Sequence, residues 1–101
     1  MITEQQVLDA LREVVDPDVG INVVDLGLIE SVAVAPGEVR VGLIMTTPAC
    51  PQTGYIQDEA TRMLLMAAEP GTEIGVDVLD APFWQPDRMS GSAKAILGWP
   101  G

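Results

Sequence analysis

Apolar residues recur along this chain with two periods, and the switches between them mark out its elements. Val7, Leu8, Leu11, Val14 and Val15 fall at helical spacing behind Thr3-Glu4-Gln5-Gln6, which has the Thr and Gln of a capping box. The pattern predicts an amphipathic helix that ends before Asp16-Pro17, because the residue ahead of a proline is held out of the helical region. Asp16-Pro17-Asp18-Val19-Gly20 has turn chemistry, and Ile21 to Gly27 (INVVDLG) reads as an extended segment closing on a glycine turn. The period then shortens to two. Leu28 to Ala35 is a predicted strand, Pro36-Gly37-Glu38 a hairpin loop, and Val39 to Thr46 a second strand. Helical spacing returns with Ile56, Ala60, Met63, Leu64 and Ala67, and Glu69-Pro70-Gly71 stops it. Ile74, Val76 and Val78 alternate with Glu73, Gly75 and Asp77 as a third strand. Asp80 to Met89 is a proline-rich loop, Ser90 caps a short helix through Leu97, and residues 98–101 form a loose tail.

The expected order is therefore α-β-β-α-β-α in one domain over residues 1–101: an α+β sandwich, with helices packed on one face of a three-stranded mixed sheet. The first two strands pair as a hairpin. The third follows a helical crossover and should run parallel to one of them.

Composition narrows the chemistry. Hydrophobic residues make up 48% of the 101 positions but only four are aromatic, so the core is built from Val, Leu, Ile, Ala and Met. Fifteen acidic residues against five basic ones give a net charge of −10, which repels phosphate backbones and anionic lipid surfaces. Neither nucleic acid nor membrane is an expected partner. The start, MITEQQ, lacks the basic and apolar segments of a leader, and no stretch approaches the length of a membrane span, so a cytoplasmic location is expected. There is no histidine, which removes zinc-hydrolase, Ser-His-Asp and Cys-His mechanisms within one chain. A single cysteine excludes an internal disulfide.

That cysteine stands in Leu43 to Asp58 (LIMTTPACPQTGYIQD), where strand alternation gives way to helical spacing. Pro51 suits the first turn of a helix, which places Cys50 at or beside the N-cap. The positive end of a helix dipole lowers a thiol pKa and favours thiolate, the form that attacks electrophiles and binds soft metals. The plainer reading is a buried cysteine acting as a small hydrophobe, which two flanking prolines in a loop disfavour. Asp16, Asp18 and Asp25 fall in turns, where capping accounts for most aspartates. If the INVVDLG segment lies beside the cysteine loop, Asp25 could instead orient a partner, ligate a metal or adjust the thiol. Phe83 and Trp84 make either a hydrophobic lid over the sheet edge or a partner-docking site. Met45, Met63 and Met66 are read as core fillers, and pattern alone assigns Arg88 and Lys94 no role.

Three stretches, taken in order, resemble a known family. They are Asp16-Pro17-Asp18 with Ile21 to Ile29, the cysteine loop Met45 to Pro51, and Pro82-Phe83-Trp84 with Asp87-Arg88-Met89-Ser90 and Leu97-Gly98. Together they resemble the SufT/PaaD-like iron–sulfur assembly domain, over nearly the whole chain. The resemblance implies a role in maturing iron–sulfur proteins, a compact α/β fold often found as a homodimer, a reactive cysteine at Cys50 and a signature aspartate at Asp25. Ala49 departs from the family's usual glycine, and Phe83-Trp84 from its usual Pro-Pro-Trp. The phenylacetate-degradation branch adds a cysteine-rich C-terminal segment, so this sequence fits the general assembly branch better.

Iron–sulfur clusters take about four protein ligands. One cysteine per chain would therefore mean a transient cluster bridging two subunits, with further ligands supplied from outside. Three readings compete. In the first, the protein is a carrier and no enzyme: it holds a cluster at Cys50 and Asp25 and delivers it to client apo-proteins, alongside other assembly proteins. In the second, Cys50 transfers sulfur or exchanges electrons. In the third, the chain recruits clients through Phe83 and Trp84 without binding a cluster.

Overall fold

A computed structural model describes residues 2–17, 19–45 and 53–98. Helix α1 spans Glu4–Leu11 and opens with the expected capping box. The Thr3 hydroxyl accepts from the Gln6 N–H at 3.1 Å, and the Gln6 side chain accepts from the Thr3 N–H at 2.8 Å. Its buried face is Val7 and Leu11. The helix stops about one turn earlier than its apolar spacing predicts, because Val14 is buried by a different device. Val15–Asp16 forms a short strand, β1, antiparallel to β2 at Ile21–Asn22, and the Val14 carbonyl accepts from the Val23 N–H at 2.9 Å. Pro17 excludes helix at Asp16 and so favours the extended form. The connecting turn closes at Gly20 (φ +73°), whose N–H donates to the Asp16 carbonyl at 2.8 Å. This ribbon replaces the first half of the extended segment expected over Ile21 to Gly27.

The main sheet has the order β3-β4-β5. β3 (Ile29–Ala35) and β4 (Glu38–Leu43) pair antiparallel across Pro36-Gly37, and β5 (Glu73–Val78) lies parallel to β4 after the crossover helix α2 (Thr53–Ala67). This is the expected mixed sheet, although the second strand ends at Leu43 and its predicted last residue, Thr46, lies outside the described residues. Pro51, expected in the first turn of the second helix, lies outside them too.

One face of the sheet sends Val39, Val41 and Leu43 towards Val7 and Leu11 of α1 and Ile56, Ala60 and Leu64 of α2. Each large side chain taken fully out of water there contributes about 1.5–3 kcal/mol before entropy is counted. Met45 and Met63 pack against this core as expected. Met66 does not: it is 71% exposed, because the last turn of α2 carries that position away from the sheet. Ala67, expected on the same apolar face, is exposed as well.

The chain finishes with a single 3-10 turn at Pro86–Arg88 and helix α3 (Gly91–Leu97). The Ser90 hydroxyl caps α3 by accepting from the Ala93 N–H at 3.2 Å, and Gly98 ends it in the left-handed region. Among the described residues, no helix is long and apolar enough to cross a membrane.

Strand direction decides where everything else meets. β4 and β5 run the same way and β3 runs against them, so one end of the sheet gathers the start of β3 and the ends of β4 and β5. There the Leu28 carbonyl accepts from Ile44 N–H at 2.9 Å, and the Leu43 carbonyl from Leu79 N–H at 2.7 Å.

Candidate functional site

The turn over residues 23–27 leads into β3 at that end. Its local bonds are tight: Leu26 N–H donates to the Asn22 carbonyl at 3.0 Å, and Leu28 N–H to the Val23 carbonyl at 3.0 Å. Asn22 also holds Asp25 from both sides. Its amide oxygen accepts from the Asp25 N–H at 2.9 Å, and its Nδ2 donates to Asp25 Oδ2 at 2.7 Å. Asp25 is half-buried, so its carboxylate is oriented rather than free to rotate.

A second set of bonds comes from far along the chain. The carbonyls of Asp25, Leu26 and Gly27 accept, in turn, from Ser90 N–H at 2.7 Å, Trp84 Nε1 at 2.7 Å and Arg88 Nε at 2.8 Å. Three successive carbonyls of the turn are thus clamped by one C-terminal segment. Arg88 extends the clamp, with Nη2 3.0 Å from Glu30 Oε2 and 3.5 Å from the Ile29 carbonyl. Gly27 has φ +79°, and any Cβ there would run into the backbone of Arg88. The glycine is required by both the turn and the clamp.

The two predicted aromatics separate. Trp84 packs against the core and bonds the turn, whereas Phe83, beside it, is 74% exposed. Cys50 lies outside the described residues, but the positions flanking its segment do not. Residues 46–52 join Met45, just past β4, to Thr53 at the start of α2. That helix is fixed to β5 by Gln57 Nε2 donating to the Val76 carbonyl at 2.7 Å. Both flanks therefore belong to the sheet end that carries the Asp25 turn. Among the described residues, no group of three or more His, Cys, Asp or Glu could hold a metal ion.

Asp16 sits in β1, buried, with its carbonyl closing the turn, in line with turn chemistry. Asp18 lies outside the described residues. Sequence patterning missed Asn22, Glu30 and the whole role of Arg88, since the clamp joins positions 58 to 65 apart. In the sequence, Trp84 and Asp87-Arg88-Met89-Ser90 belong to a family-like stretch, but no pattern there assigns them to the turn.

The family model for iron–sulfur cluster assembly proteins matches residues 4–80. The chain belongs to that family. The SufT-like resemblance read from three motifs is borne out. Among relatives, an Fe-S protein maturation auxiliary factor of Porphyromonas gingivalis is 37% identical over 98 residues, covering 96% of this chain and 92% of the relative. An iron-sulfur cluster carrier protein of Synechocystis is 37% identical over 102 residues, which cover 96% of this chain but 28% of that larger protein. The crystal structure of a domain of unknown function from Bacillus anthracis superposes with a TM-score of 0.86 at 32% identity, covering 94% of this chain and 91% of the other. The α+β fold is thus a family property. Residues 84–90 of the clamp lie beyond the 4–80 core that the family model spans.

Proposed function

We propose that this iron–sulfur assembly family member carries a cluster as cargo, held through Cys50 and delivered to client apo-proteins. One observation supports the reading most: the doubly held Asp25 turn and both flanks of the Cys50 segment belong to the same end of the sheet. A carboxylate and a thiolate from one chain are too few for a cluster, which takes about four ligands. Two copies of the chain supply two thiolates, and small thiols or the client fill the remaining positions. Such a cluster is exposed and easily passed on, as suits a carrier. No histidine or second cysteine is present to support turnover, so the role is binding and delivery.

The test is anaerobic reconstitution with iron and sulfide, reading visible absorption and iron per chain. Wild type should load about one cluster or fewer per two chains, lose it to a chelator, and lose it altogether in Cys50→Ser. Equal loading of Cys50→Ser would place the ligands elsewhere. A thiol that is alkylated only after unfolding would also sink the reading.

Phe83 favours a second reading, recruitment of clients. A side chain 74% exposed, on a loop pinned beneath it by Trp84, has the form of a docking anchor. Wild type that fails to load yet binds an apo-client, with binding lost in Phe83→Ala, would favour recruitment over carriage.

A further inference from the structure

β3 is an edge strand, and among the described residues nothing pairs with its outer side. The register tells which groups that leaves over. Residues opposite each other in an antiparallel pair alternate between exchanging hydrogen bonds and turning their peptide groups away. Ala35↔Glu38 flank the turn and exchange bonds, as do Ala33↔Arg40 and Ser31↔Gly42. Val34↔Val39 and Val32↔Val41 are the pairs that turn away. The Leu43 carbonyl bonding Leu79 agrees with this alternation, since odd-numbered positions of β4 then serve β5. The N–H and C=O groups of Val32 and Val34 therefore point outward.

Natural sheet edges are blunted by lysine, proline, bulges or covering groups. Here such protection stands only at the beginning of the strand. A register shift falls between Ile29 and Ser31, and Arg88 spans the Gly27 and Ile29 carbonyls while pairing with Glu30. Beyond it the strand reads Ser31-Val32-Ala33-Val34-Ala35, with no charge and no proline.

Alongside this edge runs an open groove of about 520 Å³ whose other wall is α1. Leu8, Val24, Ile29 and Val32 line it, with Glu4 and Glu30. A helix beside a free strand edge is a geometry that receives extended peptides by strand addition. Charge indicates which ones. Residues 4–13 carry Glu4, Asp9 and Glu13 against Arg12 alone, and the whole chain is at −10. The nearby guanidinium of Arg88 is already engaged by carbonyls and by Glu30. At this edge a second copy paired strand to strand would bring its own Glu4, Asp9 and Glu13 against the same residues, so like charge opposes self-pairing here.

We propose that the outer edge of β3 receives, by strand addition, an extended lysine- or arginine-bearing segment of a partner protein, with its alternate apolar side chains in the groove beside α1. The proposal does not depend on whether a cluster is carried.

The test is amide exchange and NMR titration of the full chain. In the free protein, the Val32 and Val34 amides should exchange faster than those of Ala33 and Ala35. A capped hexapeptide, KVTVRV, should shift resonances in β3, α1 and Val24 and slow exchange at Val32 and Val34 by about tenfold or more. Its affinity should fall with added salt, and the acidic counterpart EVTVEV should not bind. Val32→Pro removes an outward N–H that an edge strand can spare, and should abolish binding. Glu4→Lys, at an exposed helix position, is the second variant should Val32→Pro fail to fold, and should weaken binding. Protection of Val32 and Val34 in the free monomer, shifts confined to another face, or equal binding of EVTVEV would each overturn the proposal. Protection that grows with protein concentration alone would assign the edge to a second copy and overturn it as well.

Discussion

Gly20 and Gly27 share a left-handed backbone, at φ +73° and +79°, but their surroundings differ. Nothing stands within 4 Å of where a Cβ would sit at Gly20, whereas at Gly27 the backbone of Arg88 blocks it. Gly20→Ala should therefore cost only the conformational strain, about 1–2 kcal/mol. Gly27→Ala adds displacement of the clamp and should cost about 3 kcal/mol or more, read by urea denaturation. Arg88→Met should lose about 1.5–3 kcal/mol, as charge-assisted bonds to a carbonyl and a carboxylate disappear together. Arg88→Lys should recover part of this at most, since an ammonium cannot reproduce the planar fork. Asp25→Asn should separate folding from function. An amide oxygen can still accept from Asn22 Nδ2, so stability should fall by less than about 1 kcal/mol while cluster loading drops. A loss of several kcal/mol in the same urea titration would make Asp25 a structural residue.

Helix α2 shows how far a periodic pattern can be trusted. Its face of Ile56, Ala60 and Leu64 was legible because a 3.6-residue spacing needs no knowledge of partners, and all three are fully buried. Leu64→Ala should accordingly cost about 2–5 kcal/mol, and its neighbour Leu65→Ala, 56% exposed, within about 0.5 kcal/mol, in thermal or urea unfolding. The same spacing misled at element ends. Val14 and Val15 continued the rhythm of α1, but a strand ribbon claims them, and Met66 fell on a turn that has left the core. The hairpin and the parallel third strand were readable from turn residues and crossover length. The clamp was not, because what Arg88 does depends on which carbonyls a turn some 60 positions earlier presents, and no local pattern encodes that. The edge of β3 sits between these cases: its alternation was visible, its lack of a neighbour was not.

At the scale of the molecule, a net charge of −10 on 101 residues sets acidic surface against acidic surface. Added salt shortens the screening length from about 30 Å at 0.01 M to about 10 Å at 0.1 M, so the thermal midpoint should rise over that range. Exposed ion pairs such as Arg12–Asp9 and Arg62–Glu59 weaken at the same time, but pairs in open solvent add little to stability. Calorimetry showing a fall instead would mean that those pairs outweigh the repulsion. The clamp also has a consequence in time. Gly27 and Arg88 are 61 positions apart, and translation at about 5–20 residues per second separates their synthesis by roughly 3–12 seconds. Cys50 is made 38 positions before Arg88, roughly 2–8 seconds at that rate, and over that time the Asp25 turn has no clamp. The Asp25 turn therefore gains its clamp only at the end of synthesis, and a nascent or stalled chain lacks the finished frame of that sheet end.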